Sequence, residues 1–228
     1  MSFSVSAARS EALNLFNSYT TEEMNAMLAK ADEILWLFDQ DATPVWACRA
    51  ALLAWIGFRT GLRISEIHRL RLEDFDFRRM TIHVWRHKKP LRPRPAIYVR
   101  YAGATRDTIA LAPDLAARIH AYAENLGRWV GPLFLARGRK PASLKAIAHS
   151  WRQFAVGFPF DYHSSHALRH TFATEIGERS NGNVFAVNDA LGHERSSIEI
   201  SAQYVTRNPR KVRKLIESFS IDPENAAG

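Results

Sequence analysis

His166-Ala-Leu-Arg169-His-Thr-Phe-Ala-Thr174, followed by Leu191-Gly192-His193 and then by Tyr204, is the stretch on which the reading of this chain turns. It brings imidazoles, a guanidinium and a phenol into the last quarter of the sequence. These groups make neither a metal-binding trio nor a hydrolase triad. They suit one task, which is to hold a phosphodiester and attack it with a tyrosine. His166 and Arg169 are three positions apart in the first turn of a helix predicted over residues 165–179, so they should project from one side of it. A helix N-terminus presents N–H groups and the positive end of a dipole to an anion. Arginine stays protonated and grips two phosphate oxygens at once. An isolated H-x-x-R also describes many ordinary surface helices, so the reading depends on what the rest of the chain supplies.

A second arginine comes from Thr60-Gly-Leu-Arg-Ile-Ser-Glu66. Arg63 follows a strongly apolar helical stretch, and a charge beside such a break calls for a partner or a task. Glu66, one turn on, is placed to orient Arg63; the alternative is an ordinary surface ion pair of little energetic worth. The basic groups are unevenly spread. Lys plus Arg number 31 against 23 acids, for a net charge of +8. Arg86, Lys88, Lys89, Arg92, Arg94, Arg100 and Arg106 follow one another with no acid between them. Such a stripe favours a polyanion, because binding releases condensed counterions. The alternative is a merely solvated basic loop.

The periodicity predicts a mainly helical chain. A first helix runs from a Thr20 cap to about residue 38, with Met24, Met27, Leu28, Ala31, Ile34 and Leu35 on its buried face. A second opens with Thr43 as cap and Pro44 in its first turn, and is apolar nearly all round over residues 45–58. A third follows over residues 63–70. The period then changes: residues 80–85, 96–101 and 107–111 read as strands, with a proline-rich connection between the first two. Helices return over residues 114–126, 144–155, 165–179, 184–191 and 209–219. The expected fold class is α+β, a helical body with a small antiparallel sheet inserted after the third helix.

Composition narrows the function classes. A chain of 228 residues with 46% hydrophobic and 24% charged residues can bury a sizeable core. No apolar run reaches the ~18 residues that would suggest a membrane span, and the first residues do not read as a secretory signal. The lone Cys48 rules out an intrachain disulfide and fits a reducing compartment, so the expected location is the cytoplasm. The nine histidines lack the spaced cysteine or carboxylate partners of a zinc site. No phosphate-binding G-x-x-x-x-G-K-[ST] loop is present. Neither metal nor cofactor is expected.

With these residues in order, the sequence resembles the catalytic domain of the tyrosine recombinase (phage integrase) family. Thr60 to Glu66 looks like the first arginine box, His166 to Thr174 like the second, and Leu191-Gly192-His193 like the L-G-H that follows. Tyr204-Val205 looks like the nucleophile segment. The resemblance covers roughly residues 19–219, and implies the DNA breaking-rejoining enzyme fold. Residues 1–18 would then be an arm or linker remnant and residues 220–228 a tail. It implies that Arg63 and Arg169 clamp the scissile phosphate, that His166 and His193 hydrogen-bond it or assist proton movement, and that Tyr204 attacks phosphorus to leave a 3′-phosphotyrosyl bond. A lysine after a strand of the small sheet acts as general acid in the family. Lys88 is preferred here by its spacing to Arg63, with Lys89 the alternative; the other reading of both is backbone contact, as for Arg86, Arg92 and Arg94.

The implied function is site-specific DNA recombination on double-stranded DNA, by a homotetramer, with accessory DNA-bending proteins as possible partners. Two other readings remain: a type IB topoisomerase-like relaxing activity, and a DNA-binding module with impaired catalysis. Family members precede this domain with a helical core-binding domain. The short stretch ahead of residue 19 implies an excised catalytic domain or a minimal recombinase that grips DNA from one side. The basic, then apolar, residues 207–219 would dock on a neighbouring protomer or pack on their own domain.

Overall fold

In the computed structural model, helix α1 (Thr21–Trp36) begins as the sequence predicts. Thr20 Oγ1 accepts from the Glu23 N–H at 3.2 Å, and the Glu23 carboxylate accepts from the Thr20 N–H at 2.8 Å. This reciprocal pair satisfies two N–H groups that a helix start leaves open. The residues described are 18–38, 43–87, 104–136, 138 and 140–192. Met24, Met27, Leu28, Ala31 and Leu35 form the buried face of α1, with Ile34 partly buried beside them.

Helix α2 (Val45–Thr60) is the axis of the fold. It is apolar nearly all round, and it packs against α1 and against two later helices, α5 (Leu144–Ala155) and α6 (His166–Arg179). Its start differs from expectation. Pro44 holds the cap position and Thr43 does not cap. The Thr43 hydroxyl instead donates to the Leu37 carbonyl at 3.2 Å, closing the turn back onto the end of α1. Near its other end, Gly57 lets α6 approach closely, since a Cβ there would lie 2.6 Å from Leu168 Cδ1.

Helix α3 (Ile64–Ile67) is one turn, shorter than the predicted 63–70. After it the backbone tightens to bonds spanning three residues, Arg69 N–H to Glu66 O and Leu70 N–H to Ile67 O. The Leu70 carbonyl is then taken by the Leu133 N–H at 3.0 Å, so the chain turns away. A 3₁₀ turn (Leu72–Asp74) leads into a three-stranded antiparallel sheet of β1 (Phe75–Asp76), β2 (Thr81–His87) and β3 (Ala104–Ala110), in that spatial order. The β2–β3 register runs from Thr81 opposite Ala110 to His87 opposite Ala104.

The predicted strands shift accordingly. The first begins one residue later because Met80 takes a positive φ of 52° in the turn. The last begins at Ala104 rather than 107. The two-residue β1 has no periodicity by which a sequence could announce it. The predicted strand 96–101 and helix 209–219 lie outside the described residues.

Helix α4 (Pro113–Leu126) follows the sheet, and α7 (Val184–Leu191) packs against α6. Arg118 on α4 grips Asp32 on α1 with two bonds of 2.5 Å, and its guanidinium lies 3.5 Å from the centre of the Trp55 ring on α2. The helical body with its small sheet is the expected class. Among the described residues no helix is long and apolar enough to cross a membrane.

Candidate active site

The Thr60-Gly61 break is built as a helix end. Thr60 Oγ1 donates to the Ile56 carbonyl and accepts from the Leu62 N–H. Gly61 takes the left-handed conformation (φ 60°, ψ 15°), and its N–H returns to Gly57 O at 3.0 Å. A side chain at 61 would also strike Phe172, with Cδ1 2.2 Å from the ideal Cβ position. The chain leaves this end extended, and Arg63 becomes the cap position of α3.

The Glu66 carboxylate accepts from the Arg63 N–H at 2.7 Å and lies 3.4 Å from its guanidinium. The Glu66 side chain is 6% exposed and that of Arg63 is 49% exposed. Glu66 therefore does more than the surface ion pair that was the other reading. It fixes the backbone from which Arg63 projects, and leaves half of the guanidinium side chain facing solvent.

The approach to α6 is held by aromatic side chains. The His163 carbonyl accepts from the Tyr19 hydroxyl at 2.9 Å and from Trp151 Nε1 at 3.0 Å. The Tyr19 N–H donates to Thr171 Oγ1 at 2.9 Å, and its ring meets Phe58, Trp151, Phe160 and His163 edge-on. The start of α6 is thus tied to Tyr19, the residue ahead of the α1 cap.

On α6, His166 and Arg169 stand three positions apart in the first turn and differ in burial. His166 is exposed at the first position, whereas Arg169 is 2% exposed and reaches inward. Arg169 Nη1 donates to Gly61 O at 2.5 Å and Nη2 to Leu191 O at 3.1 Å. One guanidinium thereby joins the break before Arg63 to the last residue of α7, two positions ahead of His193. Three separated sequence segments meet at this side chain.

His170, given no role by sequence reasoning, belongs to the same cluster. Its ring stands edge-to-face with His166, centroids 4.6 Å apart at 86°. Its place directly after Arg169 in the motif was the available signal. Loss of hydration lowers the His166 pKa, and the neighbouring Arg169 and Arg63 charges lower it further. Burial, then His166 and Arg169, push His170 down to about 4. Two arginines beside two imidazoles kept neutral give a site that concentrates positive charge and retains proton acceptors.

The depressed His170 pKa has a sign. Between the ordinary value of 6.5 and about 4, the unfolded chain takes up a proton that the folded one resists. Stability is therefore expected to fall on acidification through that window and to level off below it. Urea midpoints measured from pH 7 to 4 should drop for the wild-type protein and drop less for His170→Asn. Parallel curves for the two proteins would contradict this.

Of the predicted site residues, Arg63, Glu66, His166 and Arg169 are brought together. Arg86 lies on β2, on the strand that leads toward the predicted general acid. Lys88, Lys89, Arg92, Arg94, His193 and Tyr204 lie outside the described residues.

The family model described as the phage integrase family matches residues 19–210. The tyrosine recombinase XerC of Pseudomonas aeruginosa (strain LESB58) is 32% identical over 164 residues, which cover 72% of this chain and 50% of the relative. The chain thus spans about half the length of the curated relatives it matches. Among solved structures, XerA recombinase superposes with a TM-score of 0.62 at 19% identity, covering 89% of this chain and 63% of that one. XerH site-specific recombinase, bound to a palindromic difH substrate in a post-cleavage complex, gives 0.62 at 17% identity, covering 88% and 52%. At these identities the structures show a shared fold.

Proposed function

The chain belongs to the phage integrase family, and from that premise we propose that it is a site-specific DNA recombinase that cuts and rejoins strands through a covalent phosphotyrosyl intermediate. The observation that carries the reading is the meeting of the two arginine segments with the end of α7 at the Arg169 guanidinium. In this reading residues 19–219 are the catalytic domain.

Arg63 and Arg169 hold the non-bridging oxygens of the scissile phosphate, and stabilise the charge that builds on them as phosphorus becomes five-coordinate. The Tyr204 phenol attacks phosphorus in line. The new bond joins its oxygen to the 3′-phosphate, and the bond that breaks releases the 5′-oxygen. Tyrosine loses a proton in this step and the leaving oxygen gains one. His166 and His193 are the groups beside the phosphate that hydrogen-bond it or receive protons, and Lys88, with Lys89 as the alternative, supplies the proton to the 5′-oxygen. The broken phosphodiester's energy is kept in the phosphotyrosyl bond, so religation needs no nucleotide.

Double-stranded DNA is the proposed partner, and the DNA-bound XerH complex among the similar structures supports it. The basic run that contains Arg86, Lys89, Arg92 and Arg94 would follow the phosphate backbone. Exchange between two duplexes calls for four protomers, with accessory DNA-bending proteins where the site requires them. The cytoplasm is the proposed location.

The decisive experiment offers the protein nicked suicide duplexes, drawn from a random pool and from the DNA flanking its own gene. A covalent protein–DNA adduct is expected from the wild-type protein and none from Tyr204→Phe. No adduct on any duplex, or an adduct that survives Tyr204→Phe, would overturn the proposal.

A further inference from the structure

Gly61 and Leu191 have something in common beyond contact with Arg169: each sits at the C-terminal end of a helix. Gly61 is the left-handed cap that ends α2, and Leu191 is the last residue of α7, before the left-handed Gly192. Carbonyls at such ends have no partner within their own helix, and they carry the negative pole of the helix dipole. A guanidinium offers five N–H donors in a rigid plane, so it can serve two carbonyls that diverge in space. Arg169 does so from a position 2% exposed, with bonds to residues 108 and 22 positions away in sequence. Two helix ends offset what it costs to bury the charge.

We infer that Arg169 is a positioning residue as well as a phosphate ligand: it caps the C-terminal ends of α2 and α7 together and so fixes the spacing between Arg63 and the chain that leaves α7 toward His193. Arg63 stands two residues after one capped carbonyl, and His193 two residues after the other. A shift at the end of α2 is passed directly to Arg63, the cap residue of α3. The functional meaning of this spacing rests on the recombinase reading above; the cap itself does not.

Lysine cannot reproduce the arrangement, because one ammonium nitrogen cannot place donors at both ends of the fork. This distinguishes the cap from a simple requirement for positive charge, and it makes the inference testable without DNA. Hydrogen exchange of the DNA-free protein is compared for wild type, Arg169→Lys and Arg169→Ala. Both substitutions are expected to speed exchange about tenfold or more at residues 61–67 and 187–192, while the β2–β3 pairing and α1 keep wild-type protection. Wild-type protection of residues 61–67 and 187–192 in Arg169→Lys would overturn the inference. So would an equal rise at every segment, which is general loosening. Should Arg169→Ala fail to fold, the Arg169→Lys pattern decides.

A second signature comes from nitrogen-labelled arginine in the wild-type protein. Two resolved, slowly exchanging Nη signals assigned to Arg169 are expected without DNA, and averaged signals would count against the cap. Because neither measurement involves cleavage, a failed cap with a trapped adduct, or the reverse, tells the two proposals apart.

Discussion

Arg63→Ala is expected to slow formation of the covalent DNA adduct about 10²–10³-fold, the usual loss when one preorganised group facing a developing negative charge is removed, while leaving thermal stability close to wild type. The structure separates these effects. The side chain is 49% exposed, and its only described ion pair is a long one of 3.4 Å to Glu66. The stronger Glu66 contact, 2.7 Å from the Arg63 N–H, belongs to the backbone and survives the substitution. Glu66 therefore does not become a buried, partnerless charge. Arg63→Lys should recover only part of the rate, since a point charge cannot grip two phosphate oxygens as a planar fork does. Adduct kinetics and thermal melts on the same preparations check this. A large fall in melting temperature with an unchanged adduct rate would assign Arg63 to the fold and remove it from the chemistry.

Gly61→Ala is the opposite case, a change of one methyl group expected to destabilise the protein by about 2–5 kcal/mol. Part of this is conformational, because a left-handed backbone costs an L-residue roughly 1–2 kcal/mol. The rest is steric, because the new Cβ would lie 2.2 Å from Phe172 Cδ1, and forced repacking of that kind typically costs about 1–3 kcal/mol. Phe172 packs against the small cluster of Ala173, Val187 and Leu191, so its displacement disturbs the seat of α7 as well. Denaturant titration of Gly61→Ala, Phe172→Ala and the double variant separates the two parts. The double variant should be more stable than the sum of the single losses predicts, since removing the ring removes the clash. Simple additivity would mean that strain at residue 61 is the whole effect.

Much of this arrangement is legible in the sequence, and the reasons are local. Thr20 announces a helix start because a cap acts within its own first turn, and the structure adds Glu23 as its reciprocal partner. The all-round apolar character of residues 45–58 announces a helix enclosed by others. The failures come where distant parts of the chain compete. Pro44 holds the cap position of α2, so Thr43 lies one residue ahead of it and its hydroxyl donates to the Leu37 carbonyl. Helix α3 gives way after one turn to three-residue bonds, and the Leu70 carbonyl that follows is taken by the distant Leu133.

Arg169 is the most instructive residue. Its spacing from His166 accounts for its place beside that histidine but not for its burial, which follows from the carbonyls of Gly61 and Leu191 that accept its hydrogen bonds. Local periodicity has no record of either. The motif named the residue at which three segments meet, but a sequence writes an arginine that ties helix ends with the same letter as any other.

Tyr19 adds a mechanical consequence. Its hydroxyl is bonded to His163 and its backbone N–H to Thr171, on either side of His166 and Arg169. Tension applied through anything joined ahead of Ser18 meets this anchorage within two residues. From Tyr19 the load passes into the helix that bears His166 and Arg169. An upstream attachment would thus hold a lever on His166, and a spacer inserted before residue 18 would lengthen that lever and soften it.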